Sequence, residues 1–437
     1  MWVRLLIGIG ALCKALVLVA PIPAMGDSFP LRQGEDVVGS LRAVTAWHED
    51  TLLDVARRYG LGYEEMLLVN RRVDAWLPGE GTPILLPTQF VLPDAPRQGI
   101  VLNLAEMRMY YYPKPKRGEP AQVIVHPISI GREGWGTPLG RTQIVAKVVD
   151  PAWYPPASIR AEHAANGDPL PEVVPAGPDN PLGRFALRLG FSGYLIHGTN
   201  KPYGLGMRVS HGCIRMYPED IEELFAMVPK GTPVQIVNQP QKAGWKDGVL
   251  YLESHPPLDE DVSAVAANST TLVQAVMAAT RGKDVSVDWD KTQVVAEQSL
   301  GIPVPISPQT PNAEDLMAAT LARAQPQERQ AVVADLLPER ASEQQQWWIE
   351  VGPFRLRETA ERIAANLGQA SPPITAQAQL REGGYQVGAG PFSAQDEAER
   401  MARMLNAYLN LDARVVLRSD DAAPERGITG AVEALIY

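Results

Sequence analysis

The sequence predicts a multidomain, mainly β protein in which a central β-sandwich is flanked by two small α+β modules. The chain has 437 residues, enough for two to four domains of ordinary size. Its 39 prolines and 37 glycines favour turn-rich β structure over helical bundles. Short alternating strands fill the centre of the chain, a strand–helix–helix–strand pattern precedes them, and a repeated strand–helix unit follows.

The overall charge argues against one class of partner. The formal net charge is −10, whereas a nucleic-acid-binding protein needs a basic face. We therefore expect no nucleic-acid partner.

Residues 1–26 have the pattern of an export signal. Arg4 supplies a positive start, and Leu5–Ala20 is apolar apart from Lys14. Ala24-Met25-Gly26 then offers small residues around a cleavage point. We expect export with cleavage, and an uncleaved amino-terminal membrane anchor is the alternative. No later run approaches the ~20 apolar residues that a membrane span requires.

Cleavage would remove Cys13 and leave Cys213 as the only cysteine of the exported chain. In an oxidising compartment, a thiol without a partner in its own chain cannot serve an internal disulfide. Cys213 lies in a glycine-rich stretch, Ile196–Met216, together with two histidines and two arginines. Such a thiol is a candidate nucleophile. A buried, inert cysteine is the alternative.

Attack of a thiolate on an amide carbonyl requires a base, a group that orients the base and backbone donors for the oxyanion. His197 follows a short apolar strand, whose end is a rigid position for a base, and the Gly198 carbonyl could fix its tautomer. The amides near Gly212 and Cys213 are candidate oxyanion donors. Spacing alone leaves both His197 and His211 open as the base.

Two sequence blocks, HGTN at 197–200 and SHGCIRM at 210–216, resemble the active-site signature of the YkuD/ErfK family of L,D-transpeptidases. The resemblance extends over 97–238 and implies a YkuD-type β-sandwich catalytic domain. Other matching segments are GWGTPLG at 134–140, NPLG at 180–183 and GTPVQIV at 231–237. The segment GWKDGVLYLE, within a predicted appended hairpin at 239–257, is similar to the Gram-negative ErfK/YbiS branch. This similarity implies the periplasm of a Gram-negative bacterium.

The resemblance also implies roles for individual residues. Cys213 would be the nucleophile, His197 the general acid and base, and Gly198 the residue whose carbonyl orients His197. Supporting oxyanion or substrate-binding positions would be Gly212, His211, Ser210, Arg215, Thr199 and Asn200. This chemistry needs no metal or other cofactor. The remaining histidines lack metal-ligand spacing and are expected to be incidental, namely His48, His126, His163 and His255.

The implied substrate is peptidoglycan. Cys213 would attack the carbonyl between diaminopimelate and the terminal D-alanine of a tetrapeptide stem, releasing D-alanine and forming a thioester. An amine would then take the acyl group, either a second diaminopimelate (a 3→3 crosslink) or a lysine of an envelope lipoprotein. Two alternatives remain open: transfer to water, which makes the protein an L,D-carboxypeptidase, and a non-enzymatic wall-binding scaffold.

Residues 41–88 form a candidate glycan-binding module. A strand at VTAW, a helix capped by Asp50 or Thr51, a second helix over Tyr63–Val69 and a closing strand ILLP give the order βααβ. This order, with DTLLDVARRYGLGYEEMLLVN, resembles a LysM domain, which implies binding to glycans that contain N-acetylglucosamine. A helical-hairpin spacer is the alternative.

Residues 347–418 contain an internal repeat, because Gly352-Pro353-Phe354 recurs 38 positions later as Gly390-Pro391-Phe392. A strand and an amphipathic helix used twice predict a small α+β sandwich. The pattern resembles a SPOR domain. This resemblance implies a ferredoxin-like fold, binding to glycan strands stripped of their stems, and enrichment at the division septum.

The remaining segments are predicted to be irregular. Residues 258–346 are rich in Ala, Pro and Gln, and we expect a linker with helices at Val262–Arg281 and Ala313–Leu336. The prolines from Pro303 to Pro311 predict a semi-extended segment. Residues 419–437 are expected to be a tail.

Overall fold

The computed structural model describes most of the chain between 27 and 419. The described residues are 27–48, 50–76, 78–132, 134–165, 169–202, 205–258, 268–327, 345–354, 356–368, 374–381, 384–392, 395–408 and 411–419. The predicted export signal and nearly all of the predicted tail lie outside them. No helix in this part of the chain has the length and apolar character needed to cross a membrane.

The elements follow each other along the chain as a β-rich series. The strands are β1 (Asp27–Pro30), β2 (Val37–Gly39), β3 (Arg42–Thr45), β4 (Pro83–Leu86), β5 (Gln89–Val91), β6 (Gly99–Asn103), β7 (Arg108–Tyr112), β8 (Gln122–Pro127), β9 (Ile130–Gly131), β10 (Gly140–Val149), β11 (Phe185–Leu189), β12 (Leu195–His197), β13 (Arg208–Ser210), β14 (Ile214–Arg215), β15 (Pro233–Val237), β16 (Gln241–Lys246), β17 (Val249–Ser254), β18 (Val304–Pro305), β19 (Gln325–Pro326), β20 (Gln345–Phe354), β21 (Ala376–Arg381), β22 (Gly384–Phe392) and β23 (Ala413–Ser419). The helices are α1 (Leu52–Arg58), α2 (Tyr63–Val69), α3 (Ala157–Ala165), α4 (Pro218–Met227), α5 (Asn268–Thr280), α6 (Trp289–Gln298), α7 (Ala313–Leu321), α8 (Arg357–Gly368) and α9 (Gln395–Tyr408).

The central sheet has the strand order β1-β8-β7-β6-β15-β10-β11-β12-β14 among the described residues. Strand β6 runs parallel to β15, and β12 runs parallel to β14, whereas the neighbours β6 and β7 are antiparallel. The sheet confirms the mainly β character that the sequence predicts.

Both faces of this sheet are buried, which the alternating sequence pattern did not predict. Along β7, Tyr110 joins one apolar cluster, whereas Met109 and Tyr111 join another on the opposite face. The first cluster includes Leu52 and Met66 of the amino-terminal module, and the second includes residues of α4. The module at 41–88 therefore covers one face of the sheet.

That module has the predicted βααβ order. Strands β3 and β4 pair antiparallel, with Val44 opposite Ile84. Helix α1 begins with a capping box, in which Thr51 Oγ1 accepts from the Asp54 amide (3.1 Å) and the Asp54 carboxylate accepts from the Thr51 amide (3.0 Å). The βααβ order is therefore observed, whereas the LysM-like identity of the module stays a prediction.

The predicted linker is wrong over 268–327, because this segment is folded. Helices α5, α6 and α7 pack beside the hairpin of β16 and β17, and β18 pairs with β17 through Val304 and Leu252. The proline-rich segment is a buried strand here, since Ile302, Val304 and Ile306 enter an apolar cluster with Leu85 of the module. Helix α5 ends at Thr280 and α7 ends at Leu321, before the predicted ends at Arg281 and Leu336.

The carboxyl-terminal module contains the predicted repeat. Its sheet has the order β21-β22-β20-β23, and β20 and β22 are each followed by a helix. Apolar residues of α8 and α9, including Ile363 and Leu405, pack on Ile349 and Val387 of the sheet.

We expect two matched substitutions in α5 to show that 268–327 belongs to the folded unit. Val276 is 0% exposed and Val273 is 44% exposed. Val276→Ala should lower the free energy of unfolding by about 1–3 kcal/mol, because it removes buried methyl groups and leaves a cavity. Val273→Ala should change it by less than about 0.5 kcal/mol. Equal effects in denaturant titrations would show that α5 does not pack as described.

Candidate active site

His197 ends β12, and Cys213 directly precedes β14, the next strand of the central sheet. The parallel pairing of β12 with β14 places Ile196 beside Ile214 and His197 beside Arg215. Both isoleucines are fully buried in the core of the sheet, so apolar packing fixes this register. Cys213 directly precedes β14, so the same parallel register puts it beside Leu195, two residues before His197 on the neighbouring strand.

His197 is buried and oriented by its own neighbour. Its Nδ1 lies 2.7 Å from the Gly198 carbonyl oxygen. A carbonyl only accepts, so Nδ1 carries the proton and Nε2 keeps a lone pair. Burial, assisted by the Arg215 charge, lowers the pKa of His197 to about 3, while hydrogen bonds to backbone carbonyls partly oppose that shift. The ring is therefore neutral at neutral pH.

Cys213 is held as a thiol. Its Sγ donates to the carbonyl of Gly193 over 3.7 Å. Burial raises the pKa of Cys213, while a hydrogen bond from the backbone of Leu195 and the charge of Arg215 oppose the shift. The resting site therefore pairs a neutral thiol with a neutral imidazole rather than a thiolate with an imidazolium.

Arg215 places a positive charge beside both groups. Its backbone amide and carbonyl each bond to Ser129, over 3.0 Å and 2.9 Å, and these bonds fix the strand. Its buried Nε has no hydrogen-bond partner among the described residues. Burial lowers the pKa of Arg215, and Cys213 opposes the shift. An unpaired guanidinium nitrogen at this position can bind a carboxylate, one of the two roles predicted from the sequence.

Ser210 and Gly212 shape the loop that carries the thiol. Ser210 Oγ donates to the Cys213 carbonyl over 2.5 Å and accepts from the Gly212 amide over 3.2 Å. Gly212 has φ of +100°, and a Cβ there would lie 3.0 Å from the Tyr194 ring, so only glycine fits. Because the Gly212 amide is already bonded, the Cys213 amide is the better candidate oxyanion donor.

His211 has a different environment from His197. Its Nε2 lies 3.2 Å from an Arg132 nitrogen and 3.3 Å from a Glu162 oxygen, and its ring stands on the edge of Trp135 at 4.8 Å. Burial and Arg132 lower the pKa of His211, and Glu162 opposes them. Among the described contacts, those of His211 therefore point to Arg132 and Glu162 rather than to the thiol.

The sequence reasoning missed this group of contacts. Glu162 lies on α3, a helix that the sequence does not predict. Only Ile159 of α3 is buried, so the helix has no strong apolar period to detect. Arg132 directly follows β9. Arg132 and Glu162 could be recognised only as opposite charges that lie close together, and they are close together only in the folded chain.

The remaining predicted site residues are Gly198, Thr199 and Asn200. A Cβ on Gly198 would meet Ile221 at 3.1 Å, so the residue packs tightly beneath His197. Thr199 is buried, and its Oγ1 accepts from the amide of Lys201 over 3.0 Å. Asn200 is exposed.

Two histidines that were expected to be incidental are buried. His126 lies 3.4 Å from Asp220, and His255 Nε2 lies 2.7 Å from Glu253. Glu106, Glu253 and His255 place their donor atoms within 4.8 Å of one another, as metal ligands could. Lys242 Nζ already contacts Glu106 at 2.7 Å and Glu253 at 3.0 Å. We interpret the cluster as a buried ion-pair network between the hairpin and the sheet.

Comparison with known proteins gives two family matches. The YkuD family, described as the L,D-transpeptidase catalytic domain, matches residues 97–236, and the SPOR domain matches residues 343–415. "Probable L,D-transpeptidase YbiS" of Escherichia coli K12 is 42% identical over 293 residues, 64% of this chain and 92% of that protein. "Probable L,D-transpeptidase ErfK/SrfK" of Salmonella typhimurium LT2 is 40% identical, over 67% of this chain and 94% of that protein.

A solved structure was also compared. The catalytic domain of the E. faecium L,D-transpeptidase is 26% identical and covers 33% of this chain and 99% of that chain. Its TM-score of 0.24 is too low to support a structural argument.

The protonation state of the site can be tested with iodoacetamide. The pKa of Cys213 is raised above the ordinary value of 9.0, so alkylation of Cys213 should keep accelerating with pH beyond pH 9. His197→Ala should leave this profile unchanged, because a neutral imidazole contributes no charge. Peptide mass mapping separates Cys213 from Cys13. A plateau below pH 7 that His197→Ala abolishes would instead indicate a thiolate–imidazolium pair.

Proposed function

Because the chain belongs to the L,D-transpeptidase family and is an enzyme of that class, we propose that Cys213 is its nucleophile and His197 its general base and acid. One observation supports the proposal: the register of β12 and β14 puts Cys213 two residues from His197 on neighbouring strands, and the buried, neutral imidazole keeps a lone pair on Nε2 that can take a proton. The outward contacts of His211 favour His197 over His211 as the base.

In the first step, the thiol turns from the Gly193 carbonyl toward His197. Sγ attacks the carbonyl between diaminopimelate and D-alanine of a tetrapeptide stem while Nε2 takes the thiol proton. The Nδ1–H bond to the Gly198 carbonyl stabilises the imidazolium that forms. The Cys213 amide and the positive charge of Arg215 stabilise the developing oxyanion. The imidazolium then gives its proton to the leaving amine, D-alanine departs, and a thioester remains.

In the second step, an amine attacks the thioester carbonyl, and His197 takes a proton from that amine. The acceptor is a second diaminopimelate, which gives a 3→3 crosslink, or a lysine of an envelope lipoprotein. The thiol is restored when the proton returns to Sγ. Water in place of the amine would give an L,D-carboxypeptidase, and the product analysis below separates the two outcomes.

The flanking modules would bind the glycan strands of peptidoglycan. The SPOR domain supports binding to glycan strands and enrichment at the septum, since such domains are expected to bind strands stripped of their stems. The module at 41–88 is proposed as a second glycan contact on the basis of its βααβ order. Both functions require export, which we propose to occur through residues 1–26, with the periplasm of a Gram-negative bacterium as the site of action.

Three single variants test the assignment of the residues. Cys213→Ala should abolish turnover of tetrapeptide muropeptides, and His197→Ala should lower kcat by about 100-fold or more, because both chemical steps need its proton transfer. His211→Ala should have a smaller effect. Mass analysis of the products distinguishes a crosslinked dimer from a tripeptide. A larger loss with His211→Ala than with His197→Ala would exchange the two roles.

Removal of residues 343–437 tests the role of the carboxyl-terminal module. The truncated protein should turn over muropeptides in vitro at the rate of the full chain, because the site lies within 97–236. In cells, a fluorescent fusion of the truncated chain should lose septal enrichment, whereas a Cys213→Ala fusion should keep it. Unchanged localisation of the truncated chain would refute the proposed targeting.

A further inference from the structure

The amino-terminal module contacts the loop that carries Cys213, and the proposed function does not account for this contact. The Tyr63 amide donates to the Leu205 carbonyl over 3.1 Å, and the Glu64 amide donates to the Gly206 carbonyl over 3.3 Å. Both donors lie in the first turn of α2, where backbone amides have no partner within the helix. The loop therefore supplies the acceptors that this helix lacks.

Two glycines allow the helix and the loop to approach this closely. A Cβ on Gly62 would lie 2.9 Å from the Gly206 Cα, and a Cβ on Gly206 would lie 2.3 Å from the Gly62 Cα. Gly206 also has φ of +77°, which other residues rarely adopt. Any side chain at either position would push the two backbones apart.

Side chains also join the module to the segments before and after Cys213. Before the thiol, Met207 is buried in the apolar cluster that contains Leu61, Tyr63 and Met66 of the module. After the thiol, the Tyr217 hydroxyl donates to the Leu61 carbonyl over 3.1 Å. Near that bond, Arg57 pairs with Glu219 at 3.0 Å.

The start of α2 is itself fixed from behind. The Glu65 carboxylate accepts from the Gly62 amide and forms an ion pair with Arg108 of β7. Arg108 is buried, and its guanidinium lies 4.0 Å from the centre of the Phe90 ring. The amino-terminal end of α2, which contacts the loop, is therefore fixed to the central sheet.

A short series of bonds leads from Gly206 to the thiol. The Met207 amide donates to Ser129 Oγ over 3.3 Å, and β13 then pairs with β9. Strand β13 ends at Ser210, whose hydroxyl donates to the Cys213 carbonyl. His197 is placed by the pairing of its strand with β11 and β14, whereas Cys213 lies between β14 and the loop and is held from both sides. A shift of the loop at Gly206 would therefore act on Cys213 from the β13 side and leave His197 in the sheet.

We propose that the first turn of α2 is a positioning element for the transpeptidase reaction, and that Gly62 and Tyr63 set the place of Cys213 relative to His197. The inference rests on the proposed function, since it takes these two residues as nucleophile and base. It gives the module at 41–88 a part in catalysis besides any part in binding glycan. Gly62 and Tyr63 are positioning residues and touch no substrate.

Gly62→Ala in the full-length enzyme tests the proposal, with Gly60→Ala as the matched control. Gly62 has an ordinary negative φ, and the added methyl would clash only with Gly206, since Glu65 and Pro127 lie at ordinary contact distances of 3.4 Å and 3.6 Å. Gly60 lies in the same module at φ of +60°, and a Cβ there has no atom within 4 Å. Gly60→Ala therefore strains the module without touching the loop.

Gly62→Ala should lower kcat by about 10- to 100-fold, because a misplacement of about 1 Å has an effect of this size. KM should change less than about twofold. Gly60→Ala should keep the wild-type kcat, although its melting temperature falls. Tyr217→Phe, which removes only the bond to the Leu61 carbonyl, should also lower kcat with little change in KM.

The proposal is overturned if Gly62→Ala and Gly60→Ala lower kcat equally, or if Gly62→Ala keeps the wild-type kcat. Cys213→Ala serves as the reference for the proposed function in the same assay. If Cys213→Ala retains activity, the nucleophile assignment itself is wrong. If Cys213→Ala is inactive while Gly62→Ala is fully active, only the positioning role fails.

Discussion

The parallel pairing of β12 with β14 is the constraint on which the site depends. Strand β14 forms one edge of the central sheet, and β12 is its neighbour. Two buried isoleucines, Ile196 and Ile214, hold the register, and the residue after each of them is His197 or Arg215. A slip of β14 by one residue would turn Ile214 out of the core, while β12 would stay paired with β11. The same packing that stabilises the sheet therefore aligns the imidazole, the guanidinium and the thiol before Ile214.

Burial and one positive charge give the site its electrostatic character. Desolvation disfavours both the thiolate of Cys213 and the imidazolium of His197, so the resting pair is uncharged. In the proposed reaction, charge would form only as the reaction proceeds, and the nearby Arg215 would stabilise the negative charge. Interactions of this kind are stronger in the transition state than in the ground state, which is the condition for a faster chemical step.

Much of the site could be predicted from sequence, and the limits have physical causes. The blocks at 197–200 and 210–216 point to Cys213 as the candidate nucleophile, but spacing leaves His197 and His211 equivalent as candidate bases. In the structure the two histidines have different surroundings, because the partners of His211 come from distant segments, Arg132 before β10 and Glu162 on α3. The same limit explains the fold of 268–327, whose proline-rich strand is stable only against β17. Contacts between segments far apart in the chain have no local signature.

Intact mass spectrometry of the enzyme during turnover tests the central claim most directly. The wild-type protein, mixed briefly with a tetrapeptide donor and quenched in acid, should gain the mass of the stem without its terminal D-alanine. Peptide mapping should place this adduct on Cys213, and Cys213→Ala should show no adduct. Turnover by the wild-type enzyme without any adduct, or with the adduct on another residue, would contradict the account.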